Sequence, residues 1–147
     1  MEQRISVWVG ALLKDNKKRL LFVQRSVGSS LPLLWQLPGG TLEWSEKITD
    51  ALKREINEET SGRAINPKLF EVNTIIGRIK ERQIHIVQII YIARFDGIVR
   101  LSDEHDDFRW MSLDEAKDEK LIGDLKRFIY DKKNYSRIVQ FLNEKGD

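Results

Sequence analysis

The sequence predicts one layered α/β (α+β) domain spanning residues 1–147, and three observations carry that expectation. The chain has 147 residues and is 41% hydrophobic, enough for one core and too short for two. Strand-like and helical segments are mixed along it, as in layered folds. No internal repeat, low-complexity tract or Pro/Gly/Ser-rich linker divides it. A domain of this length buries roughly 70% of its unfolded surface, so it needs no covalent staple.

Each element follows from local pattern. Ile5 to Leu13 is rich in β-branched and apolar residues and reads as a strand. The polar turn Asp15-Asn16-Lys17-Lys18 leads into a second strand, Arg19 to Gln24. Ser26 to Leu34, with Gly28 and Pro32, is a loop. Trp35-Gln36-Leu37 is a short strand stopped by Pro38-Gly39-Gly40. A helix runs from about Ser45 to Ser61, with Ser45 as N-cap and Gly62 just past its end. Strands follow around Phe70 to Ile79 and from Gln83 to Phe95, and Trp110-Met111 closes a short one. Ser112-Leu113-Asp114-Glu115 has the form of a capping box. Leu121 to Asn143 is helical, in two pieces broken near Asn134.

Composition narrows the function classes. Lys plus Arg number 25 against 23 Asp plus Glu, a formal charge of +2. That balance argues against a nucleic-acid partner. With no cysteine there is no disulfide, thiolate zinc site or cysteine nucleophile. No apolar signal region follows Met1-Glu2-Gln3-Arg4, and no apolar run approaches the ~20 residues of a membrane helix. A soluble, cytoplasmic protein with no membrane partner is expected.

The first helix carries the most chemical information. Ile48, Ala51, Leu52, Glu55 and Glu59 recur at helical spacing and share one stripe, opposite Lys47, Asp50, Lys53 and Asn57. The stripe that should pack inward thus turns acidic in its last turns, with Glu58 beside it. Three carboxylates at a packed surface repel one another, resist desolvation and oppose the helix dipole. A divalent cation relieves all three costs, and oxygen ligands suit Mg²⁺ or Mn²⁺ better than zinc. The competing reading is a solvated Glu-rich helix in which Arg54 and Glu58 form an ordinary i,i+4 pair.

The wider spacing decides between them. Gly40, Glu46, Arg54, Glu55, Ile56, Glu58 and Glu59 fit a motif of Gly, five residues, Glu, seven residues, then Arg-Glu-aliphatic-x-Glu-Glu-x-Gly-aliphatic. In this the chain resembles the Nudix hydrolase family, MutT-like members included, and the likeness spans most of residues 5 to 125. One position departs: the family has Gly where Ser61 stands, and Gly62 and Arg63 follow. Gly62 is expected to supply the left-handed helix cap one residue late.

The resemblance implies an α/β/α sandwich with a mixed sheet and a loop-helix-loop motif. It implies that Glu55, Glu58 and Glu59 bind one or more Mg²⁺ ions (Mn²⁺ as a substitute), helped by the Gly39 carbonyl. Arg54 would pair with Glu46 and the acidic cluster, and Gly40 would lie against the substrate. The implied reaction is attack of water on phosphorus, cleaving a diphosphate linkage in a nucleoside-diphosphate derivative, with nucleoside triphosphates first. Nucleotide sugars and dinucleoside polyphosphates are alternatives, as is a non-catalytic nucleotide-sensing domain. Isoprenoid diphosphate isomerisation in the related family uses a cysteine, absent here. RNA decapping would favour a basic groove, which is not evident. The expected partner is a small nucleotide, and a homodimer fits the resemblance.

Several residues keep two readings. Ser102 to Trp110 resembles the family's loop that adds an acid or base. Glu104 is the preferred ligand or base, and His105 is its rival, with an ordinary pKa of about 6.5 that suits a general base. The alternative is an acidic surface loop capped by Trp110. Arg25 either contacts phosphate or base, or is an exposed strand end. Trp35 either lines a base pocket or belongs to the core, and Trp8 and Trp44 share that ambiguity. His85 is read as structural or exposed, and Lys117–Lys120 and Lys126–Lys133 as solvated helix surfaces.

Overall fold

The computed structural model describes residues 3–145, so the expected polar start at Met1-Glu2 lies outside the described residues. The strands are β1 (Ser6–Lys14), β2 (Leu20–Arg25), β3 (Trp35–Gln36), β4 (Gly39–Thr41), β5 (Arg63–Ile79), β6 (Arg82–Asp96) and β7 (His105–Met111). The helices are α1 (Ile48–Thr60), α2 (Leu113–Lys117), α3 (Leu125–Tyr130) and α4 (Lys132–Asn143). The strands form one 7-stranded sheet in the order β3-β2-β1-β6-β5, with β4 also pairing β1 and β7 pairing β2. It is mixed: β1 and β6 run parallel from Ser6↔Ile86 to Lys14↔Arg94, and the other pairs are antiparallel.

Alternation along β1 divides the core in two. Val9, Ala11 and Leu13 point to one side, where they pack with Leu21, Ala93 and the α1 residues Ala51, Leu52 and Ile56. Leu12 points to the other, joining Leu20, Phe22 and Ile90 beneath Phe128, Ile129, Ile138 and Phe141 of α3 and α4. Helices therefore cover both faces of a mixed sheet, the expected α/β/α sandwich.

Several boundaries differ from the sequence expectation. Gly39-Gly40-Thr41 does not merely stop a strand but forms β4, pairing Gly39 with Gly10 and Thr41 with Trp8. The reason is space. A Cβ on Gly39 would lie 2.5 Å from both the Trp8 ring and the Val9 carbonyl oxygen, so only glycine lets the two backbones approach. Strand β5 begins at Arg63, well before Phe70, and passes Pro67 through two register shifts. The C-terminal helix breaks at Asp131, which caps α4 by accepting from the Asn134 N–H. The capping box at Ser112 and Glu115 forms as expected.

Helix α1 departs at both ends. It starts at Ile48 behind Lys47, and Ser45 lies in a left-handed turn (φ 63°) rather than at the N-cap. Its buried residues are Ala51, Leu52, Ile56, Glu59 and Thr60, so the packed stripe includes Ile56 while Ile48 is exposed. At the C-terminus Ser61, not Gly62, takes the left-handed cap (φ 64°, ψ 9°) and donates its N–H to the Asn57 carbonyl. Gly62 is glycine for another reason: a Cβ there would lie 2.2 Å from the Phe95 ring.

An L-residue in this conformation costs roughly 1–2 kcal/mol. Glycine relieves that strain at some cost in unfolded-state entropy. Ser61→Gly is therefore expected to stabilise the protein by about 0.5–1 kcal/mol, raising Tm by about 2–4 °C in a thermal melt. A lower Tm would mean that the exposed bond from Ser61 Oγ to the Arg100 carbonyl (3.3 Å) outweighs the strain.

Candidate functional site

The last turns of α1 meet both β4 and the start of β7, through Glu59 against Gly39 and His105. Glu59 is only 3% exposed. Its Oε1 accepts from the Gly39 N–H at 2.6 Å, and its Oε2 lies 3.4 Å from His105 Nδ1. Burial pushes the Glu59 carboxyl up to about 8, and neighbouring Glu55, Glu104 and Glu58 push in the same direction. The Gly39 bond opposes this without overcoming it.

Arg54 organises the remaining acids. Its Nε and Nη2 grip both oxygens of Glu46 at 2.7 and 2.9 Å, a two-pronged geometry that fixes the guanidinium plane. Nη1 donates to Glu55 at 2.8 Å and to Glu58 at 3.3 Å, and Nη2 also reaches the Thr41 carbonyl. The Arg54–Glu58 pair is thus one arm of a network, not an isolated surface pair. The bond from Arg54 draws Glu46 down to about 2, and Glu46 in turn raises Arg54. Glu55 is nonetheless raised, because burial outweighs the help from Arg54. Glu58 stays 57% exposed at its side chain. Gly40 sits against this cluster: a Cβ there would lie 2.2 Å from the Glu55 carboxyl carbon.

His105 is held by a chain of donors whose direction can be worked out. Strand β2 lies between β3 and β7, which brings Arg25, Gln36 and His105 together. Arg25 Nη1 donates to Gln36 Oε1 at 3.2 Å. A guanidinium can only donate, so the Gln36 oxygen must face it and the Gln36 amide nitrogen must face His105. That nitrogen lies 3.0 Å from His105 Nε2. Nε2 of the neutral ring therefore accepts, and the proton sits on Nδ1, which faces Glu59. Burial lowers the His105 pKa, with Arg25 adding to the effect against Glu104 and Asp106.

The other sequence-selected residues fall as follows. Arg25 also donates to the Leu31 carbonyl and approaches Ser30 Oγ, so its head group braces the 26–34 loop. Trp35 is 5% exposed and belongs to the core. Trp8 packs on that core beneath Gly10 and Gly39. Trp44 is fully open on the loop before α1. Glu104 is exposed and comes together with Glu59 and His105, one ligand atom of each lying within 4.8 Å of the others. Gln36 escaped the sequence reading; its one signal was a polar residue between Trp35 and Leu37.

The residues fit a hard divalent cation. Glu59 is a desolvated carboxylate surrounded by like charge, with the exposed Glu104 carboxylate close by. A cation beside Glu59 offsets both the burial cost and the repulsion. With Nδ1 carrying a proton and Nε2 engaged, His105 offers no lone pair inward. The available donors are carboxylate oxygens, which favours Mg²⁺ or Mn²⁺ over zinc.

An acidic helix end backed by closely packed glycines, on a mixed sheet between helices, is the layered α/β/α arrangement of a hydrolase domain with a group of acids that could hold a metal ion. Within it the chain belongs to the Nudix family and is a MutT-like Nudix hydrolase. The NUDIX domain profile matches residues 5–131. The chain is 26% identical over 134 residues to an 8-oxo-dGTP diphosphatase of Buchnera aphidicola subsp. Schizaphis graminum, covering 85% of this chain and 95% of that one. It is 30% identical over 115 residues to the nucleoside triphosphatase NudI of Klebsiella pneumoniae, covering 72% and 81%. The MutT NUDIX hydrolase structure from Burkholderia pseudomallei superposes with a TM-score of 0.68 at 29% identity, over 77% of this chain and 87% of that one. Among the described residues no helix is long and apolar enough to cross a membrane.

Proposed function

We propose that this protein hydrolyses a phosphoric anhydride in a nucleoside triphosphate, using Mg²⁺, with Mn²⁺ able to replace it. One observation carries the reading: Glu59, only 3% exposed, lies beside Glu104 with Glu55 and Glu58 nearby, a concentration of negative charge that burial and mutual repulsion penalise and that a cation would relieve. The relatives named as a diphosphatase and a nucleoside triphosphatase support the substrate class.

When bound, Mg²⁺ supplies charge neutralisation for the phosphoryl oxygens, on which this chemistry largely depends. The protein supplies position. Arg54 keeps Glu46 and Glu55 in register, Gly39 aims one oxygen of Glu59 through its N–H, and His105 packs beside the other at 3.4 Å. His105 acts as a positioning residue, because its inward nitrogen carries a proton and its outer nitrogen is tied to Gln36. Glu104, exposed beside them, is the group left to accept a proton from the attacking water.

Glu58→Gln should leave the fold intact, since the side chain is largely exposed, and should lower turnover at least ~10²-fold. Both proteins would be incubated with Mg²⁺ and nucleoside triphosphates, nucleotide sugars and dinucleoside polyphosphates, with products separated by chromatography. Cleavage of a triphosphate by the wild type alone supports the proposal. Equal cleavage by both would mean that Glu58 is not a ligand. Nucleotide binding without cleavage by either would replace the enzyme with a sensor.

A further inference from the structure

We propose that the hollow between the bulge of β5 and the C-terminal end of α4 binds a phosphorylated organic molecule, separately from the acidic cluster. The register of β5 against β6 shifts between Ile65 and Lys68, where Asn66 takes a left-handed conformation (φ 50°) ahead of Pro67. Such a bulge bends its strand and re-aims the side chains around it. A cavity of about 450 Å³ lies between this bulge and the end of α4. That volume falls within the ~300–1,000 Å³ of small-molecule sites.

Charge identifies the ligand. Lys14, Lys68, Arg94 and Lys145 line the cavity against the one carboxylate of Glu144. Four cations and one anion give a local charge of +3, in a chain whose formal total is +2. Lys14 and Arg94 are direct partners on β1 and β6, so their side chains leave the same face of the sheet. Like charges placed in this way repel. Lys14, only 6% exposed, is fixed in the wall: its Nζ donates to the Phe141 and Glu144 carbonyls at 2.8 and 3.0 Å. Carbonyls at a helix end bring only partial negative charge, so the concavity keeps a positive field. A phosphate monoester, close to a dianion at neutral pH, offsets it better than a single carboxylate. Ile65, Pro67 and Ile92 add apolar wall, which suits the body of an organic phosphate rather than the free ion.

The cavity is distinct from the acidic cluster. Its wall residues Ile92 and Phe141 pack with the core beneath α3 and α4, whereas α1, which carries Glu55, Glu58 and Glu59, covers the other face of the sheet. Without a cation those acids repel an anion, so binding in a chelator reports on the basic cavity.

AMP in EDTA is the probe, and the test is independent of catalysis. Amide chemical shifts followed by NMR should move at Asn66, Lys68 and Arg94, and stay in place at Gly39 and Gly40. Calorimetry in the same buffer should show AMP binding at least ~10-fold more tightly than orthophosphate, through the apolar wall, and weakening as salt rises. Lys68→Glu with Lys145→Glu, both exposed, should raise the AMP dissociation constant at least ~10-fold while keeping the melting transition. If the double variant fails to melt cooperatively, Lys68→Gln alone should still weaken AMP ~3-fold. The proposal is overturned by a wild type that does not bind AMP, by shifts confined to Gly39 and Gly40, by orthophosphate binding as tightly as AMP, or by binding indifferent to these lysines.

Discussion

Glu59→Gln is expected to reduce hydrolysis at least ~10³-fold and, without metal, to make the protein more stable at pH 8 than the wild type. The two effects share one cause. Glu59 moves from an ordinary 4.5 to about 8 in the fold, chiefly by burial. Between those values the folded state holds a proton that the unfolded state has released, so stability falls as pH rises. The loss is absent below about 4.5 and complete above about 8, where it amounts to several kcal/mol. Glutamine keeps the acceptor for the Gly39 N–H but cannot ionise, so the Glu59 share of the slope should vanish, leaving the smaller contribution of Glu55. Thermal melts from pH 5 to 9 in a chelator check this, and Mg²⁺ should restore the wild type at pH 8 while doing little for the variant. An unchanged slope in Glu59→Gln would assign the titration to another group.

This conflict between stability and charge is what the sequence exposed most clearly. Helical spacing put Glu59 on the stripe that packs inward, and the structure buries it. The same spacing could not say how far each acid is exposed. Glu59 is enclosed by Gly39 and His105, which lie 20 and 46 positions away, whereas Glu58 points outward one residue earlier. Strand β4 was hidden because a Gly-Gly pair reads as a turn from local propensity. It pairs with β1 because glycine, lacking a side chain, lets its backbone come up against Trp8 and Gly10. The left-handed cap falls at Ser61, and Gly62 is glycine because the Phe95 ring fills the space a side chain would need. The proton on His105 depends on Arg25 and Gln36, on two other strands. Each of these determinants is non-local, and periodicity carries no record of it.

The two adjacent glycines of β4 should fail differently when each is replaced by alanine. At Gly39 the new Cβ meets backbone: the Val9 carbonyl at 2.5 Å and the Gly10 Cα at 2.7 Å. Neither can move without separating β4 from β1, so Gly39→Ala should cost about 3 kcal/mol or more, at the upper end for overpacking. At Gly40 the three atoms nearest the new Cβ all belong to the Glu55 carboxylate, the far end of a flexible side chain. That group can swing away, so stability should fall by no more than ~1 kcal/mol. The cost appears in function, because the displaced carboxylate leaves the Arg54 Nη1 bond and the acidic cluster. Turnover should drop ~10²–10³-fold in a protein that still melts close to the wild type. Melting curves beside steady-state kinetics distinguish the two. If Gly40→Ala keeps full turnover, Glu55 has no part in the reaction; if Gly39→Ala melts like the wild type, the β4–β1 contact is looser than its distances indicate.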